Sequence, residues 1–93
     1  VRFNPRNVRA HNGLGIAYAE TGNVEGAIAS WKRVVELEPS RFDSLFNLAT
    51  AMAAHSPEEA IPYLERFVRE APPEQYRDAI AEALELIQQI QDQ

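Results

Sequence analysis

Pro5, Pro39 and Pro73 stand 34 residues apart, and each closes a segment that reads as helix, turn, helix. A fixed period of this length marks a repeat array. Between the prolines the same chemistry returns at the same offset: Leu14 matches Leu48, Gly15 matches Ala49 and Tyr18 matches Met52. Units of this kind stack on one another into solenoids whose exposed faces bind other molecules. The class of function is therefore legible from the period, and the particular partner is not.

The punctuation between the prolines predicts five helices, over residues 7–21, 24–37, 41–54, 57–70 and 73–90. Asn7 is a good first N-cap, and Gly22 can take the left-handed conformation that ends the first helix. Leu14, Ala17, Tyr18 and Thr21 recur at three and four and predict its apolar face. Asn23 caps the second helix, whose stripe is Ala27, Ile28, Trp31, Val34 and Val35, with Pro39 preventing continuation. Ser40 and Asp43 predict a capping-box start for the third helix, with Leu45, Leu48, Ala49 and Met52 inward. Ser56-Pro57-Glu58-Glu59 is a sharper start: serine cap, proline at the first helical position, glutamate closing the box. Ala60, Ile61, Leu64, Phe67 and Val68 then face inward, and Pro62 predicts a mild kink by removing the bond to the Glu58 carbonyl. In the fifth helix Tyr76, Ile80, Ala83, Leu84, Ile87 and Ile90 form one side, and Arg77, Asp78, Glu82, Glu85, Gln89 and Asp92 the other. One apolar and one strongly polar face is what a solenoid needs at a covered end.

At 93 residues and 45% hydrophobic, the chain fills one small domain with too little core for a deep catalytic cavity. It has no cysteine, which excludes a disulfide framework, a thiolate zinc site and a cysteine nucleophile. Cytoplasm and periplasm both stay open. No apolar run approaches the roughly 18 residues of a membrane span, so a soluble chain without membrane insertion is expected. The net charge is -5, with ten acids against Arg66, Arg69 and Arg77 over residues 42–93. Nucleic acid is not an expected partner, because phosphate binding needs a dense basic stripe. Arg2, Arg6 and Arg9 near one end read as a solvated helix start.

These residues together resemble the tetratricopeptide repeat family, whose 34-residue unit combines small and large apolar positions and ends in proline. In residues 8–41 the pattern is Leu14-Gly15, Tyr18, Ala27, Trp31, Val34 and Pro39, with His11 where the family often has Trp. In the next unit it is Leu45, Leu48-Ala49, Met52, Ala60, Leu64, Phe67 and Pro72, with one residue lost in the turn between Met52 and Ala60. The resemblance implies an all-α, right-handed α-solenoid of antiparallel helix pairs. The implied organisation is the end of a preceding repeat at 1–5, repeats at 6–39 and 40–72, and a capping helix at 73–93. Phe3-Asn4-Pro5 parallels Leu37-Glu38-Pro39, so further repeats upstream in a bacterial protein are expected.

In this family the first helix of each pair lines a concave groove that holds an extended peptide or a helix of another protein. By position the resemblance places Arg9, Asn12, Ile16, Ala19 and Glu20 there from the first repeat, and Asp43, Phe46, Asn47, Thr50 and Ala54 from the second. Asn47 reads either as a holder of ligand backbone, since an amide both donates and accepts, or as a solvated polar residue. Phe46 reads either as packing or as an anchor. Only Asn47 matches the constellation by which some relatives grip an acidic chain end, and Asp43 would repel that ligand.

Catalysis is not expected, and neither is a cofactor or a metal. His11 and His55 lie on different repeats, the paired glutamates sit at helix ends where capping explains them, and the four glycines form no phosphate loop. Self-association through the outer face of the first helix, including Ala10, Ala17 and the detached Phe3 and Val1, is expected if a preceding repeat is missing. The run 64–73 followed by Tyr76 is also similar to the closing segment of repeat arrays in bacterial multidomain proteins, sulfatase-like hydrolases among them. That likeness implies a bracing or oligomerising role as the alternative.

Overall fold

The computed structural model describes residues 8–93, so Asn7 and the turn at residues 1–5 lie outside the described residues. Five helices follow in order: α1 Val8–Glu20, α2 Val24–Leu37, α3 Phe42–His55, α4 Pro57–Glu70 and α5 Pro73–Gln91. No strand occurs among the described residues. Consecutive helices pack on one another, and α3 also touches α5. The odd-numbered helices therefore form one layer and α2 and α4 the other. The Cα extents, 45 × 28 × 18 Å, are those of a slab two helices thick.

The turn between α1 and α2 forms as its residues dictate. Gly22 has φ 82°, the left-handed value at which a Cβ is strained. The Asn23 N–H then reaches the Tyr18 carbonyl at 2.7 Å and the Gly22 N–H reaches Ala19 at 3.2 Å. This double bond pattern satisfies carbonyls that the helix end leaves free. Asn23 Oδ1 in turn accepts from the Gly26 N–H at 2.9 Å, capping α2.

The next start is built differently from the expectation. Arg41, not Ser40, stands at the cap of α3, with no side-chain cap bond. The turn closes through backbone, Arg41 N–H to Glu38 O and Phe42 N–H to Ser40 O. Asp43 thus falls at the second helical position, one residue too early to reach back as a capping box requires. Arg41 Nε instead donates to Glu38 at 2.9 Å, a bond that raises the Arg41 pKa and keeps it a cation. At α4, Ser56 and Pro57 occupy the expected positions, but the serine hydroxyl makes no cap bond. α4 runs unbroken through Pro62, which is exposed, as is Glu58, the residue whose carbonyl loses its donor. Non-helical backbone falls at Tyr76 instead, with φ -121° and ψ 29°.

The core lies between the two layers. All expected inward residues of α2 and α3 are buried, joined by Ala60, Leu64 and Phe67 of α4 and Ala83 of α5. Ile61 and Val68 are half-buried. Two expectations fail. On α1, Leu14, Ala17 and Thr21 are exposed, and Gly15 is its buried residue. The repeat explains this: the positions equivalent to Ala10 and Leu14 are Ser44 and Leu48, both fully buried in α3, which packs on α2. No described element takes the place of α2 beside α1.

On α5, Leu84 is 51% exposed. The apolar residues of α5 overlay those of α3 at an offset of 35, Ile80, Ala83, Leu84, Leu86 and Ile87 falling on Leu45, Leu48, Ala49, Ala51 and Met52. The extra residue is taken up in the irregular turn at Tyr76. Ala83 is then buried as Leu48 is, while Leu84 takes the Ala49 position, where α4 covers α3 and no described helix covers α5.

Candidate functional site

The expected groove residues lie on α1 and α3, spaced so that each set forms one stripe along its helix. Asn47 and Thr50 converge with Ala19 and Ala54 on the rim of a mostly apolar depression of about 260 Å³. Val24, Ala27 and Trp31 of α2 line it from below. Trp31 is only 5% exposed because α1 has no side chain at Gly15: a Cβ there would stand 2.5 Å from the indole Nε1. Nε1–H has no acceptor among the described residues.

Asn47 is half-buried, and its amide makes no hydrogen bond among the described residues. Its backbone carbonyl accepts from Thr50 Oγ1 at 3.1 Å. That bond turns the Thr50 hydroxyl toward its own helix and leaves the depression with one amide whose donors and acceptor are free. Phe46 packs on Phe67, ring centroids 5.1 Å apart, and is half-buried. Asn12 Oδ1 accepts from Ser44 Oγ at 2.9 Å, a bond that ties α1 to α3. Arg9, Ile16, Glu20 and Asp43 are exposed on the same two helices and do not line the depression.

Sequence reasoning missed that Val24, Ala27, Trp31 and Ala51 belong to this site. The signal for Trp31 was its pairing with Gly15 and Ala27, which announced a large ring beneath small neighbours. Wider hollows exist, about 340 Å³ beside Ser56 and about 510 Å³ along the start of α5. Each of these two is bounded mainly by one helix start, whereas a third hollow of about 360 Å³ draws on α2, α3 and the start of α4 through Glu25, Ile28, Lys32, Met52, His55 and Glu59 and includes none of the expected groove residues. Among the described residues no three His, Asp or Glu side chains group as a metal would require. No described helix is long and apolar enough to cross a membrane.

Two layers of antiparallel helix pairs, repeated along the chain, define a helical-repeat solenoid. Two family models, each described as tetratricopeptide repeat, match residues 8–41 and 43–73. The chain belongs to the tetratricopeptide repeat family, a typically non-catalytic fold that mediates protein–protein interaction. No curated protein matches the chain.

Proposed function

We propose that this domain binds a peptide or helix of a partner protein across α1 and α3, with the Asn47 amide holding ligand backbone above the Trp31 floor. One observation carries the reading: a half-buried amide with no internal partner stands at the rim of an apolar depression. Arg9, Asn12, Ile16, Glu20, Asp43, Phe46 and Thr50 shape selectivity along the same stripes. A segment that merely braced a larger enzyme would have no need of such an amide. Asn47→Ala is expected to weaken binding by about 0.5 to 1.5 kcal/mol, the net value of one hydrogen bond. Stability should stay within roughly 0.5 kcal/mol. Titration of a captured partner against both forms, with melting curves alongside, measures the two together. Unchanged affinity would move the site away from the groove.

A second reading concerns the outer face of α1, where Leu14 is 37% exposed and Ala17 is open, while in α3 the counterpart of Leu14, Leu48, is fully buried and that of Ala17, Ala51, is half-buried. This face supports self-association of the chain. Light scattering should show a mass that rises with concentration and that Leu14→Glu returns to monomer. A monomer at every concentration would remove this reading.

A further inference from the structure

Extending the groove to the fifth helix shows what chemistry its occupant carries. The offset of 35 that aligns the apolar residues of α5 with α3 also aligns the residues on the other side. Asp78 falls at the position of Asp43 and Arg9, Glu82 at that of Asn47 and Gly13, and Glu85 at that of Thr50 and Ile16. All three acids are exposed, and neither they nor Asp43 enter a salt bridge among the described residues. The groove is thus graded: the depression between α1 and α3 is lined by uncharged residues, with Arg9, Glu20 and Asp43 outside it on the same stripes, and the stripe of α5, which α3 touches, carries acids alone. Elsewhere on the chain some acids are matched, as in Arg33 with Glu36, Arg41 with Glu38 and Arg66 with Glu70, while others such as Glu58, Glu59, Glu65 and Glu74 enter no salt bridge among the described residues, so what sets the α5 acids apart is their shared stripe.

Resting on the groove reading above, we infer that the occupant is a peptide segment with an aliphatic side chain for the Trp31 depression and basic residues for the Glu82–Glu85 edge. Burial of the aliphatic group supplies affinity through apolar area, and the unmatched acids select lysine or arginine and reject acidic competitors. Neighbouring helix axes lie about 8–10 Å apart, and an extended chain advances about 3.3 Å per residue. The depression lies between α1 and α3, about one and a half such spacings from α5, so the basic residues sit about three to five positions from the aliphatic one.

The probe is a displayed library of random twelve-residue peptides selected on the whole chain, followed by titration of one enriched peptide using Trp31 emission and anisotropy. Enriched sequences should share an aliphatic residue with lysine or arginine three to five positions to one side. Glu82→Gln with Glu85→Gln should weaken such a peptide about tenfold, and added salt should weaken the parent complex. Glu36→Gln with Glu65→Gln, which removes the same charge from α2 and α4, should change it less than about twofold. Equal losses in both double variants would reduce the effect to net charge and overturn the inference, as would enrichment of acidic or uncharged sequences. A peptide that binds Asn47→Ala undiminished, or a selection that enriches nothing, would overturn the groove reading as well.

Discussion

Phe67→Ala is expected to destabilise the fold by about 3 to 5 kcal/mol, the usual range for emptying a buried aromatic site. Phe67 is fully buried, and its ring joins three helices. It meets Phe46 of α3 at 5.1 Å and Tyr76 of α5 at 5.7 Å, and Tyr76 meets Phe42 of α3 at 6.1 Å. Such edge and tilted pairs add to the area term. In a solenoid each unit contacts only its neighbours, so no distant contact compensates for the loss. A small domain has about 5 to 15 kcal/mol in all. Urea unfolding followed by circular dichroism should show the midpoint fall by at least about a fifth. A cost under about 1 kcal/mol would mean that α5 is held by its aliphatic residues alone.

The helices were legible in this chain because their ends are chemically marked. Gly22 and Asn23, Pro39, Pro57 and Pro73 each forbid or favour one backbone state, and the structure uses all of them. What pattern could not supply was the presence of a neighbour. Leu14 and Leu48 are the same residue at the same repeat position, yet one is 37% exposed and the other fully buried, because α3 packs on the helix before it, α2, and no described helix precedes α1. The Leu84 expectation failed for a related reason. An apolar stripe shows which residues favour burial, and the side actually covered depends on the backbone turn at Tyr76. In the candidate site, the family resemblance assigned Asn47 and Thr50 to one stripe, and they stand one turn apart on a helix whose other face is core. The floor was harder to see, because Trp31 satisfies every criterion of a core residue and its second role depends on small residues from two other helices.

Trp31→Ala tests that floor, with an expected cost of about 3 kcal/mol, the low end of the range for removing a buried aromatic side chain. The low end applies because the substitution also removes a buried N–H that has no acceptor, a group whose burial costs about 1 to 3 kcal/mol. Gly15 supplies the decisive second measurement. In the parent chain Gly15→Ala places a Cβ 2.5 Å from the indole nitrogen, and overpacking of this kind costs about 1 to 3 kcal/mol. Replacing a mid-helix glycine by alanine gains about 1 kcal/mol from backbone propensity, so the net change in the parent is a loss of about 1 kcal/mol. In the Trp31→Ala background the Cβ enters vacated space and the propensity gain stands alone. Gly15→Ala should therefore change sign between the two backgrounds, with a coupling of about 1 to 3 kcal/mol in a double-mutant cycle. Thermal or urea unfolding of the four chains measures it. Equal effects in both backgrounds would show that Gly15 does not hold the ring in place, and that some other contact seats Trp31 beneath the groove.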